Sequence, residues 1–155
     1  MRQQKLPRFQ LPAKARSRNM AAIKSQGNAS TERRLRSFLV RQGIRGWTLH
    51  SPKEIGSPDF FFQKARALIF VHGCFWHACP LCGHVPKTNT AYWKAKLERN
   101  RKRDRRVTRI AKSLGYSVVK IWECDLRKRP ISCLNRILRV VTERKLATTH
   151  TRSFV

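Results

Sequence analysis

A chain of 155 residues has room for one domain with its own core and little for a second. Its 35 lysines and arginines against 8 acids give a net charge of +27, far beyond the charge of about 2–8 that keeps a small domain soluble. Self-repulsion on that scale calls for a polyanion, and nucleic acid fits better than an anionic membrane, since no long apolar span or signal-like leader is evident. The expected location is therefore the cytoplasm, at the nucleoid, where thiols stay reduced and five cysteines point to metal or chemistry before disulfides.

Residues 1–18 carry many basic groups, two prolines and no apolar period, and are expected to form a flexible basic arm. Ser30 and Thr31 offer helix caps, Leu35, Phe38 and Leu39 form an apolar stripe, and Gly43 supplies a stop. Ile44 to Leu49 reads as a strand and SPKEIGSP as a loop. Asp59 to Gln63 and the β-rich Ala67 to His72 read as two more strands joined by a turn. A long helix is predicted from Asn89 to Leu114, a strand from Tyr116 to Trp122, and a last helix from Pro130 with Ile131, Leu134, Leu138 and Val141 on one face. The domain proper spans 19–146, and 147–155 is expected to be a loose tail. The order of helix, three strands, helix, strand and helix predicts an α/β sandwich with a mixed sheet flanked by helices.

Between the third strand and the long helix, HGCFWHACPLC (72–82) places three thiols within nine residues. Cys124 follows the fourth strand, where a neighbouring strand could deliver it to Cys74, Cys79 and Cys82. Four soft ligands in a closed set suit a structural Zn²⁺, with no position open for water; His84 competes with Cys82 for its place. Cys133 falls in the last helix and reads as a small buried hydrophobe.

With eight acids in the chain, each has a candidate task. A tight hairpin would bring Asp59, at the start of one strand, near His72, at the end of the next, and the two could hold Mg²⁺ with phosphate oxygens and water. Trp93, Leu97, Val107, Ala111 and Leu114 share one face of the long helix, and Asn100 and Asp104 fill the gaps in that series. An aspartate in a buried stripe needs a partner. His77 is the candidate, because an Asp that holds an imidazole in one tautomer makes it a better general base. A metal site and a His–Asp pair on a basic protein fit phosphodiester hydrolysis. The other class to weigh is a non-catalytic, zinc-stabilised nucleic-acid-binding module, which would gain nothing from acids placed near phosphates.

The stretches RSRNM (16–20), SPDFFF (57–62), HGCFWH (72–77), PKTNTAYW (86–93), RNRKRDRR (99–106) and IWECDLR (121–127) resemble the very-short-patch mismatch repair endonucleases (Vsr), over roughly residues 16 to 128. The resemblance implies a restriction-endonuclease-like fold and a Mg²⁺-dependent nickase. Such an enzyme cuts one strand of double-stranded DNA 5′ of the thymine in T:G mismatches left by deaminated 5-methylcytosine. A single asymmetric mismatch suits a monomer, and functional links to a cytosine methyltransferase and to general mismatch repair proteins are expected.

By motif, Asp59 resembles the metal-binding carboxylate, His72 the histidine beside it, His77 the general base, Asp104 its acidic partner and Glu32 a further acidic site residue. Phe75, Trp76 and Trp93 resemble aromatics that wedge into the base stack, and Met20 a residue inserted from the minor groove. Cys74, Cys79, Cys82 and Cys124 match the structural zinc set. Cys79 stands where family members often carry histidine, and Val71 where some carry threonine. A related nuclease with different targeting is the alternative within the same class.

Overall fold

A computed structural model describes residues 31–150 and Pro7, with side chains described as far as Thr142. Met20 and, apart from Pro7, the N-terminal arm lie outside the described residues. Helix α1 spans Glu32–Arg41, strand β1 Thr48–Leu49, β2 Phe60–Phe62, β3 Ala67–His72, helix α2 Thr90–Ser113, strand β4 Ser117–Trp122, helix α3 Glu123–Lys128 and helix α4 Pro130–His150. The four strands form one sheet in the order β1-β2-β3-β4. The first two pairings are antiparallel and β3–β4 is parallel, joined by α2 as the crossover. The expected mixed sheet flanked by helices is what forms.

Both faces of the sheet are covered. On one, Phe60, Phe62, Ala67, Ile69, Val71, Val119 and Ile121 pack against Leu35 and Leu39 of α1, Leu126 of α3, and Cys133, Leu134, Ile137 and Val141 of α4. On the other, Phe61 and Leu68 meet Ala111 of α2, with Phe70, Tyr116 and Val118 around them. The strand period of two sends alternate residues to the two layers. Central β3 is therefore apolar from Ala67 to Val71, and only its last residue, His72, is polar.

Three boundaries differ from expectation. Only Thr48–Leu49 pairs as β1, because Ile44 closes the end of α1 through its N–H to Leu39 O (3.0 Å), and Gly46 turns the chain with φ +86. Glu123–Lys128 is helical directly after β4, so Cys124, expected simply to follow the strand, sits on a short helix. Helix α4 runs on to His150, through the first four positions of the segment expected to be a loose tail. The buried stripe of α2 also stops early. Leu97 and Ala111 are buried, but Leu114 is 54% exposed, because the helix ends at Ser113 and its phase ends there too. Among the described residues no helix is long and apolar enough to cross a membrane.

Candidate active site and cysteine cluster

Helix α2 runs over one end of the sheet and encloses a cleft of about 500 Å³, lined by Glu32, Asp59, His72, His77, Lys96, Asn100, Arg103, Asp104 and Lys120 among others. Two clusters of ionisable groups open into it, and they divide the residues picked from sequence differently from the expected pairing.

The first cluster is His72, His77 and Asp104. His77 Nδ1 lies 2.5 Å from Asp104 Oδ2, with both side chains largely buried. This is the pair expected from the phase of Asp104 in the helix. Burial works against the Asp104 carboxylate, but the hydrogen bond from His77, and then neighbouring positive charge including that of Arg103, hold its pKa below the usual range. With that carboxylate ionised, the His77 proton sits on Nδ1 and Nε2 is left as the acceptor. His72 stacks flat on His77, with ring centroids 3.9 Å apart and planes at 13°. Burial, then the neighbouring His77 charge, lowers the His72 pKa to about 3, so it is a neutral imidazole across the working range. Asn100 donates to the backbone oxygen of Trp76 at 2.8 Å and ties this loop to α2.

The second cluster is Glu32, His50 and Asp59. Asp59 and His72, expected to share one ion, fall into different clusters. The reason is local: Asp59 Oδ2 accepts the Val71 N–H at 2.6 Å, which holds the carboxylate beside Glu32, while His72 turns to stack on His77. Glu32 is the first residue of α1, where the helix dipole favours an anion, and it is 6% exposed. His50 Nε2 lies 3.1 Å from Glu32 Oε2.

His50 was not singled out from sequence, and its place comes from the hairpin. It follows β1 as Asp59 precedes β2, and the hairpin sets them opposite, with His50 N–H donating to Asp59 O at 3.3 Å. Burial, and then the nearby Glu32 charge, raise the Asp59 pKa to about 7. Two crowded, desolvated carboxylates with an imidazole fit a hard divalent cation, which would replace the Asp59 proton.

The third cluster is Cys74, Cys79, Cys82 and Cys124, each offering a sulfur within 4.8 Å of the others. A tetrahedron with metal–sulfur bonds of about 2.3 Å has sulfur–sulfur edges of about 3.8 Å; Cys79 Sγ and Cys124 Sγ are 3.7 Å apart. The set could bind one metal. Cys82 belongs to it and His84 does not, its ring lying 5.6 Å from that of Phe75 instead. Burial raises the thiol pKa of Cys124, whereas at Cys79 burial is outweighed by the N–H groups of Leu81 and Cys82. Gly83 closes the turn with its N–H to Cys79 O at 2.8 Å. A Cβ there would stand 2.5 Å from that same oxygen, so only glycine fits.

Against the cysteine loop stand Phe75, Trp76 and Trp93, all half-buried and mutually edge-on at 5.1 to 6.0 Å. They belong neither to the main core nor to open surface. Their rings bridge the loop and the start of α2.

Residues 10–81 match the family described as DNA mismatch endonuclease Vsr. The chain is 42% identical to the DNA mismatch endonuclease Vsr of Escherichia coli over 116 residues, covering 74% of this chain and 72% of that one. It is 37% identical to the type II nicking enzyme V.NmeAIP of Neisseria meningitidis over 113 residues, covering 72% and 79% of the two chains. A nicking enzyme of another Neisseria meningitidis serogroup, V.NmeDIP, is 31% identical over 87% of this chain and 91% of its own.

Two outcomes test these clusters. Metal analysis of the purified protein should find one equivalent bound by thiolates, lost in Cys82→Ser and retained in His84→Ala; retention in Cys82→Ser would remove Cys82 from the set. The raised Asp59 pKa means that the metal-free fold is favoured with that group protonated. Its stabilising contribution is complete below about pH 4 and is lost as the pH rises through about 7. Asp59→Asn should therefore raise the melting temperature of metal-free protein by a few degrees at pH 8 and leave it unchanged at pH 4. An equal effect at both pH values would contradict the shift.

Proposed function

The chain belongs to the Vsr family of DNA mismatch endonucleases and is a DNA-nicking hydrolase, and on that premise we propose that it nicks one strand of a duplex 5′ of the thymine in a T:G mismatch, with Mg²⁺ as its cation. One observation carries the proposal: the His77–Asp104 pair at 2.5 Å opens into the same cleft as the Glu32 and Asp59 carboxylates. A base for water and a carboxylate pair for a cation are what phosphodiester hydrolysis requires. A module that only bound DNA would lose affinity by facing carboxylates toward phosphates.

Asp59 would hold the cation with Glu32 beside it. A Mg²⁺ held there would supply positive charge to polarise the phosphate. Asp104 keeps the His77 proton on Nδ1, and His77 Nε2 takes the proton of the attacking water. Neutral His72 fixes the plane of the His77 ring by stacking and adds no charge to repel the imidazolium that forms. The three half-buried aromatics Phe75, Trp76 and Trp93 are suited to a wedge beside the mispair. Unstacking costs a few kcal/mol per base step, so the wedge must be held rigidly. Zn²⁺ on the four thiolates would supply that rigidity next to the cutting groups.

Met20 would enter from the minor groove. The mixed sheet with its flanking helices would be a restriction-endonuclease-like fold, and a single asymmetric lesion suits a monomer. The chemistry of the lesion links the enzyme to a cytosine methyltransferase and to general mismatch repair proteins.

The test is a labelled duplex with one T:G mismatch in a CTAGG/CCTGG context beside its C:G control, with Mg²⁺ present. The expected result is a nick in the T strand alone, absent in Asp59→Ala. Equal cutting of both duplexes would end the mismatch assignment. Asp104→Asn should nick about 10²–10⁴-fold more slowly, with duplex affinity within a few-fold of the parent.

A further inference from the structure

Lys120 has a position that the nicking chemistry above leaves unused. Along β4, Val119 and Ile121 enter the main core, and Val118 packs on the opposite face with Phe61, Leu68 and Phe70. The period of two sends Lys120 to that second face, beneath α2 and in register with Phe70. It is half-buried and lines the cleft alongside His72, His77 and Asp104. An apolar side chain would suit this strand position. A lysine can lay its methylenes along the seam, but its ammonium is then carried to the cleft wall.

That ammonium forms no ion pair or hydrogen bond among the described residues, whereas Arg103 nearby is matched to Asp104 at 3.3 Å. Burial lowers the Lys120 pKa, Asp104 offsets part of that, and the charges of Lys112 and Arg105 press it lower again. A partly desolvated cation crowded by other cations is costly unless an anion arrives. The anion this cleft is built to receive is a DNA phosphate, since the water-activating pair and the carboxylate pair open into it.

We propose that Lys120 is a catalytic residue of the nick, its ammonium binding the scissile phosphate and matching the charge that builds on the phosphoryl oxygens during attack. The inference rests on the assignment of this cleft as the nicking site. In the step, the water oxygen bonds to phosphorus and its proton passes to His77. The bridging P–O bond breaks, and its electron pair leaves on the departing oxygen, which gains a proton from solvent. Lys120 transfers nothing and keeps its charge throughout. It acts by being in place before the charge develops.

The experiment uses Lys120→Met, which keeps the stem and removes the charge, and Lys120→Arg, which keeps the charge. Duplex binding is measured in EDTA across a salt series, and nicking is measured under single-turnover conditions with the divalent cation. Loss of one phosphate contact should reduce the slope of log K against log salt by about 0.9 in Lys120→Met and leave Lys120→Arg near the parent. The single-turnover rate should fall about 10²–10³-fold in Lys120→Met and recover in part in Lys120→Arg. The melting temperature of Lys120→Met should not fall, as it would for a lysine that merely braces the strand. Lys120→Gln serves the same measurements should methionine disturb the seam.

An unchanged salt slope overturns the phosphate contact, and a parental nicking rate overturns the part in catalysis. The binding arm needs neither Mg²⁺ nor a mismatch. A reduced slope in a protein that cuts T:G and C:G duplexes alike would therefore support Lys120 while ending the mismatch assignment.

Discussion

The parallel register of β3 and β4 is the constraint on which the site depends. It ends with His72 opposite Trp122, and Cys74 and Cys124 each stand two residues beyond that last pair. The offset is equal on both strands, so the two chains leave the sheet side by side. The Cys124 N–H then points at Cys74 Sγ at 3.4 Å, and the Cys74 N–H at Glu123 Oε2 at 3.3 Å. A parallel pair needs a long crossover, and here that crossover is α2. The connection that makes the register possible also carries Asp104 back over the sheet to His77. One pairing thus assembles the thiol cluster and the His77–Asp104 pair at the same end of the fold.

Charge is the second organising feature. A chain with a net charge of +27 uses its few acids where they do local work. Glu98 is matched to Arg101 and Arg105 at exposed positions worth little to stability, and half-buried Asp125 to exposed Arg129. Glu32, Asp59 and Asp104 instead face the cleft, where desolvation makes each charge count. Their burial is costly in the free protein, and a cation or a partner imidazole offsets it. The excess of lysine and arginine elsewhere makes the whole surface attractive to a polyanion, while the cleft keeps a cation-binding spot within it. Long-range attraction and local chemistry are therefore separated by burial.

Much of this was readable along the chain, and the reasons differ by element. β3 is recognisable because a central strand buried on both faces runs apolar, here from Ala67 to Val71, and Ala67–His72 matches its predicted limits. Asp104 could be placed by helical phase, since Leu97 and Ala111 mark the buried side and a polar residue in that row is conspicuous. The thiol set could be assembled from spacing because three of its members lie in one loop. His50 was missed because its role comes from a hairpin whose strand is two residues long, too short to leave a periodic signal. The short helix after Trp122 was missed for the same reason: a helix of six residues shows less than two turns of pattern.

Local order decided the element types, the basic character, and which side chains were chemically able to act, because period, charge and ligand type are properties of neighbouring residues. Which of those side chains meet was decided only by tertiary contacts. Asp59 was paired with His72 in the linear reading, yet a single backbone N–H from Val71 holds its carboxylate beside Glu32 and His50. Cys82 displaced His84 from the thiol set because the turn at Gly83 carries the chain past Cys79 too closely for any side chain at that position. Lys120 is one of many lysines in the chain, and only the strand pairing and the helix above it turn it into a half-buried cation on the cleft wall. Distances across a sheet are set by register and turn geometry, and no periodicity along one strand contains them.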